Sequence, residues 1–334
     1  MSTKRLTLSI IVIAALLLTG CSSTSEGDQA AILTSTAEAV EDTPLQTEEP
    51  TPTSTATEIP ATPTIDIRTI ACGETFCQVQ WDGILERPIG QEYVNTIDRT
   101  YPFASTRDGT LDPHHGVEFV NEQGTPILAA QSGEVVFAGS DSSTILGPYL
   151  GFYGNVIVIS HPGLYEGRDV YTLYAHLSVI NVEEGALVEV GEVIGEVGMT
   201  GIATGTHLHF EVRLDVNDYD HNMNPVLWFA PVLDDTGGQT STLAGIIMTQ
   251  DGTQVALYPL TLEQLGEDGE AVGYYYPVTY YPYGFNAHPV LGENFTVSDL
   301  PPGDYRLSFI DGKLYELEFT LEAGQLGFIN FKLD

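Results

Sequence analysis

The stretch Gly205-Thr206-His207-Leu208-His209-Phe210-Glu211-Val212 is the part of this 334-residue chain from which the rest can be read. Extended backbone sends successive side chains to opposite faces, so His207 and His209 share one face while Leu208, Phe210 and Val212 share the other. One apolar face and one imidazole face fit a sheet that packs a core on one side and presents polar groups in a groove on the other. Outward from this stretch, between Tyr101 and Leu233, short apolar runs alternate with glycine punctuation: Thr125 to Ala130, Gly133 to Ala138, Asn155 to Ile159 and Val170 to Ala175. Helical periodicity is nearly absent, and the regular alternation of strand and turn predicts an all-β sandwich or barrel. Val188 to Val197, with Gly191 and Gly195, reads as a tight hairpin of the same sheet system.

Two further strings, His114-His115-Gly116-Val117-Glu118 and Tyr174-Ala175-His176, carry polar groups of the same kind. A lone histidine on a strand is more often a hydrogen-bonded structural residue than a ligand, and a bare His-x-His arises often by chance. Together the strings read as a divided zinc site. Zinc takes nitrogen and oxygen donors in tetrahedral geometry, and a catalytic site keeps three protein ligands with water in the fourth position. His114, Glu118 and His209 are the candidate ligands. His176 and His207 then lie beside the open position as neutral imidazoles able to exchange protons or steady charge. His115 points away from His114 on extended backbone and stays outside the ligand set. His161, His221 and His288 have no placeable partner and read as structural or exposed.

The stretches Pro113 to Glu118, Gly124 to Gly133, Leu173 to Ser178 and Gly201 to Val212 stand in the order and spacing of one family. They resemble the LytM or lysostaphin-type zinc metallopeptidases, which cut peptides of bacterial peptidoglycan. The resemblance implies a LytM-type antiparallel β-sheet sandwich or barrel-like catalytic domain over residues 101–233. It also implies Zn2+ as cofactor, His114 and His209 as the outer ligands, and His176 and His207 as the catalytic pair. The remaining ligand of the family is usually Asp. Glu118 stands there instead, and its extra methylene moves the carboxylate by more than a bond length unless backbone or rotamer compensates. Two functions are open: a zinc endopeptidase acting on peptidoglycan peptides, or a catalytically silent LytM-type domain that binds the wall or regulates a partner hydrolase. The four histidines favour the first and Glu118 the second.

The remaining chain is organised around this domain. Residues 1–20 have a basic start, an apolar run from Leu6 to Leu18 and a small-residue exit, the pattern of a secretory signal. Leu18-Thr19-Gly20-Cys21 resembles the bacterial lipobox, which implies a lipidated Cys21 anchoring the protein on the outer side of a bacterial membrane, in the cell envelope. Residues 21–65, mostly Ser, Thr, Pro, Glu and Ala, have no periodic apolar face and read as a disordered tether. Residues 66–100 are expected as N-terminal edge strands of the main domain. Export puts Cys72 and Cys77 in an oxidising setting, where either a local disulfide or two free thiols would serve.

Residues 241–334 repeat the short-strand rhythm. Their Pro301-Pro302-Gly303-Asp304 turn between strand-like runs resembles small transthyretin-like or carboxypeptidase-regulatory-like β-sandwiches, so an accessory β-sandwich is expected. The tyrosines from Tyr274 to Tyr283 read as strand packing ahead of a glycan-stacking surface. With a net charge of -35 and 11 Lys and Arg in total, the chain lacks the clustered cations that nucleic-acid binding needs, and adhesion to anionic wall polymers is disfavoured as well.

Overall fold

The structure, a computed structural model, describes residues 75–107, 109–234, 236–281 and 283–333. The signal, the lipobox Cys21, the tether and Cys72 lie outside the described residues; Cys77 is disulfide-bonded. In chain order the first strands are β1 (Phe76–Gln80), β2 (Val117–Phe119), β3 (Pro126–Leu128), β4 (Gly133–Ser140), β5 (Asn155–Tyr165), β6 (Arg168–Ala175), β7 (Val179–Ile180), β8 (Leu187–Val188), β9 (Val193–Glu196), β10 (Leu208–Leu214) and β11 (Asn222–Met223). They are followed by β12 (Ser241–Met248), β13 (Thr261–Leu265), β14 (Ala271–Tyr275), β15 (Phe295–Leu300), β16 (Gly303–Asp311), β17 (Lys313–Leu321) and β18 (Gln325–Lys332). Short 3-10 turns at Tyr219–His221 and Pro225–Leu227 are the helical elements among the described residues. The chain is all-β.

The main sheet runs β11-β10-β6-β5-β4-β8, with β2 on the same edge of β10 as β11. Its pairings are antiparallel, and none among the described residues closes it, so it is an open sheet and the barrel alternative falls away. Both faces are covered. Ile157, Ile159 and Tyr174 enter one apolar cluster with Val117, Phe210 and Val212, while Val156, Val158, Leu173 and Ala175 enter another with Leu146 and Tyr153. That is why β5 reads as an unbroken Val-Ile run where a half-exposed strand would alternate. The β5–β6 hairpin turns at Glu166 and Gly167, both at positive φ (51° and 80°), the type I′ geometry that follows the strand twist.

The expected hairpin from Val188 to Val197 does not form. β8 joins β4 in the main sheet, whereas β9 lies between β3 and β7 in a separate three-stranded sheet. The turn at Gly191 therefore carries the chain from one sheet to the other.

The strands after residue 240, together with β1, form two four-stranded sheets, β1-β18-β12-β15 and β14-β13-β16-β17. Leu243, Leu262, Phe295, Tyr305, Leu307 and Ile329 share one core there. The Pro301-Pro302 turn joins β15 to β16, which lie in different sheets. From the stretch before residue 101, β1 pairs antiparallel with β18, while Leu85, Ile89 and Ile97 enter the main-sheet core. That core in turn takes in Ala244, Leu291, Leu326 and Phe328 from the C-terminal strands. Of the tyrosine cluster, Tyr280 is buried while Tyr274, Tyr276 and Tyr283 are exposed.

Candidate metal centre

The register of β10 assembles the site. His209 is paired with Glu118 of β2 on one side and with Ala175 of β6 on the other, so His176 follows directly after the strand that flanks it. His114 precedes β2, and Gly116 between them leaves room for the His209 ring. A Cβ there would lie 2.8 Å from His209 Cε1 and 2.5 Å from the Phe210 carbonyl oxygen, closer than packed atoms allow.

The candidate ligands meet at one point. Glu118 Oε1 is 2.9 Å from His114 Nε2 and 3.1 Å from His209 Nδ1, and these two nitrogens are 3.2 Å apart. Hydrogen bonds on the far ring nitrogens set the tautomers. His114 Nδ1–H donates to the Tyr101 carbonyl at 2.6 Å and His209 Nε2–H to Glu211 Oε1 at 3.0 Å, so in the neutral rings the facing nitrogens carry the lone pairs. Once His209 gives up its second proton, two lone pairs and a carboxylate oxygen face one another, a donor set for a cation. Tetrahedral zinc with bonds of about 2.0–2.2 Å would hold its ligands roughly 3.3–3.6 Å apart, so the residues present fit the ion with a few tenths of an ångström of opening. Glu118 Oε1 reaches both ring nitrogens with its extra methylene in place, and its Oε2 ends 2.8 Å from His207 Nε2, without hydrogen-bond alignment and otherwise unpartnered.

Buried charge sets the titration of the cluster. Burial alone would lower the His209 imidazole, but Glu118 and Glu211 on its two nitrogens outweigh that and raise it to about 9. Glu118, in spite of burial, is held well below the usual carboxylate range by His209, His114 and His207. His176 is lowered to about 4, by burial first and then by its histidine neighbours. Without a divalent cation the centre thus keeps a proton on His209, and metal binding must displace it.

His176 and His207 face each other with ring centroids 4.8 Å apart. His176 Nδ1–H donates to the Thr200 carbonyl at 2.8 Å, and His207 Nδ1 lies 3.0 Å from the Gly205 carbonyl oxygen. Thr200 reaches His176 because Gly154 and Gly201, both at positive φ, touch backbone to backbone, where a Cβ on either would come within 2.5 Å of the other's nitrogen. His176 itself has φ 65°, strained for a residue with a Cβ, and its N–H is tied to the Tyr153 carbonyl at 3.0 Å. All five residues line a cleft of about 320 Å³, walled by Tyr101, Phe152, Ile202, Thr204 and Tyr219.

His115 is turned away from the ligands, stacked on Tyr219 at 3.7 Å and hydrogen-bonded with Asn222. His161 is buried between the Ser132 carbonyl and the Thr172 hydroxyl, His288 is buried among Trp81, Tyr165 and Trp228, and His221 is exposed beside Asp218. The sequence reading assigned no role to Glu211, Arg213 or Tyr153. Glu211 is fully buried, bonds His209 with one oxygen and Arg213 with the other at 2.9 Å, and accepts from the Tyr153 hydroxyl. The signal was present: period two carries the face of His207 and His209 on to Glu211 and Arg213. Tyr101, stacked on His114 at 4.1 Å, left no such pattern.

The open antiparallel sheet thus brings together a His114, Glu118 and His209 donor set that could hold a metal ion. Residues 112–225 match the model of Peptidase family M23, so the chain carries an M23 domain of the LytM type. It is similar to the DD-carboxypeptidase/endopeptidase Mpg of Neisseria meningitidis serogroup B, 35% identical over 153 residues, 45% of this chain and 31% of that protein. It is 38% identical to the peptidoglycan DD-endopeptidase ShyB of Vibrio cholerae over 31% of this chain and 21% of the relative. With lysostaphin of Staphylococcus staphylolyticus the identity is 41% over 29% of this chain and 18% of the relative. The chain thus spans about a third or less of the length of these relatives.

Proposed function

We propose that this protein is a zinc-dependent endopeptidase that hydrolyses peptide bonds of bacterial peptidoglycan, held by a lipidated Cys21 on the outer side of a bacterial membrane. The carrying observation is the convergence of His114 Nε2, Glu118 Oε1 and His209 Nδ1 within 3.2 Å of one another. The naming of similar proteins as peptidoglycan DD-endopeptidases supports the substrate class. Zinc held by these three residues would supply a Lewis acid for the scissile carbonyl and lower the pKa of water there.

The chain's own residues supply the rest. His176, its Nδ1–H engaged by Thr200, presents Nε2 as acceptor for a proton of the attacking water and returns that proton to the departing amine. His207 stands across from it with Nδ1 against the Gly205 carbonyl, and in its doubly protonated form it donates Nε2–H to the oxygen that gains charge in the tetrahedral state. Glu211 and the Tyr101 carbonyl hold His209 and His114 in the tautomers that face the site.

Zinc content per chain in residues 66–334, compared with His209→Ala, tests the centre, and digestion of purified peptidoglycan scored by new amino termini tests the activity. Near one zinc in the first and little in the second, with new termini, is expected. If zinc is absent even after it is supplied, the silent domain that regulates a partner hydrolase becomes the better account.

A further inference from the structure

Arg107 lines the same cleft as His114, His176 and His207, and it is the only Lys or Arg that does so among the described residues. Its guanidinium has no hydrogen-bond, ion-pair or ring partner there. The other described arginines are all engaged: Arg87 with Asp299, Arg99 with the Ser298 and Asp299 carbonyls, Arg168 with Asp215, Arg213 with Glu211, and Arg306 with Glu263 and Glu318. In a chain of net charge -35, an exposed arginine left unpaired at the mouth of the site is an exception that calls for a ligand.

The loop that carries it is built. Arg107 sits at φ 47°, a left-handed conformation disfavoured for a residue with a Cβ. Its N–H donates to Ser105 Oγ at 3.0 Å, and its carbonyl accepts from Thr110 Oγ1 at 2.6 Å. The loop is clamped to the candidate ligand by two reciprocal backbone bonds, Ala104 N–H to the His114 carbonyl at 2.8 Å and His114 N–H to the Ser105 carbonyl at 2.9 Å. The position of Arg107 is therefore fixed relative to the metal centre, and a guanidinium offers a planar fork that fits a carboxylate.

We propose that Arg107 is a specificity-determining residue that binds a carboxylate of the peptide substrate, making the cleft selective for peptides that carry a free acid near the scissile bond. This rests on the peptidase reading. The test uses the zinc-loaded protein and cross-linked muropeptides in two forms, one with free carboxylates and one with those groups converted to carboxamides. The wild type should prefer the free acids by roughly tenfold to a hundredfold in kcat/KM, mostly through KM. Arg107→Ala should bring the two forms within about twofold, Arg107→Lys should restore part of the preference, and Arg107→Glu should invert it. A wild type without preference, or a preference that survives in Arg107→Ala, overturns the assignment. Should the chain cut neither form, the peptidase reading fails separately, and calorimetric binding of the same two forms decides: a preference for the acid that Arg107→Ala removes supports the assignment, and equal or absent binding overturns it.

Discussion

Glu211 Oε1 accepts a hydrogen bond from His209 Nε2 at 3.0 Å, on the opposite side of the imidazole from Glu118. The same carboxylate binds Arg213 at 2.9 Å and takes the Tyr153 hydroxyl, so a fully buried charge is compensated at every oxygen. Its pKa is about 2, because Arg213 and His209 outweigh burial. The ring orientation of a candidate metal ligand is therefore fixed from behind by a charge that stays on throughout the neutral range.

Glu211→Gln keeps the shape and removes that charge. Outer partners of metal-bound histidines are worth about 10–100-fold in metal affinity, so zinc should bind the variant more weakly by that factor. Competition against a chromophoric chelator at fixed pH measures it, and affinity within twofold of wild type would show that Glu211 does not orient His209.

Glu118→Asp asks whether the length of the third ligand matters. The β2–β10 register fixes the backbone of residue 118 opposite His209, so a shorter side chain draws the carboxylate back by about one carbon–carbon bond. It loses the 2.8 Å contact with His207 and part of its reach to His114 and His209. Zinc retention should fall about tenfold in Glu118→Asp and further in Glu118→Ala, the loss of a residue that only hydrogen-bonds a ligand being the lower bound for loss of a ligand itself. Tighter zinc binding by Glu118→Asp would mean the backbone adjusts to the shorter residue.

Arg87 and Asp299 join the two halves through a buried pair at 2.7 Å, and Asp299 also accepts from the Ile97 N–H at 2.9 Å. Arg87→Ala leaves that carboxylate without its cation and should cost about 3–5 kcal/mol. Because Leu326 and Phe328 complete the main-sheet core, a fragment ending at residue 240 should lose cooperative unfolding altogether. Urea denaturation checks both; a sharp transition for the fragment would show that the main-sheet region folds alone.

The main sheet was legible because β4, β5 and β6 are dense in β-branched residues and bounded by glycine, and the histidines because period two sorted them onto one face. The sheet switch between β8 and β9 was not, since adjacency in sequence says nothing about which edge a strand finds. Pairing of β1 with β18, and the parallel run of β18 along β12, join residues hundreds of positions or scores of positions apart and leave no local pattern. For the site, sequence named the residues that meet at the cleft, while the reach of Glu118 Oε1 to both His114 and His209 is set by three-dimensional packing and leaves no local pattern.

Glu293 provides a pH test of the junction between the main-sheet region and the C-terminal strands. It is fully buried, accepts the His288 N–H at 2.9 Å and 3.2 Å, and lies 3.3 Å from the Tyr280 hydroxyl, which in turn bonds Asn224. Burial pushes its carboxyl up to about 8, against the pull of those hydrogen bonds. Below about 4.5 both folded and unfolded chains keep the proton, and the neutral acid contributes its full stability. Between 4.5 and about 8 the unfolded chain releases the proton while the folded one retains it, so stability falls as pH rises, by at most about 1.4 kcal/mol per unit. Above 8 the loss is complete. Glu293→Gln removes this term, so the stability of wild type relative to the variant should decline steadily from pH 4.5 to 8 in urea titrations. A difference that stays flat across that window would mean that Glu293 is ionised in the folded protein and that its burial is relieved by water or by movement of the 280–293 segment.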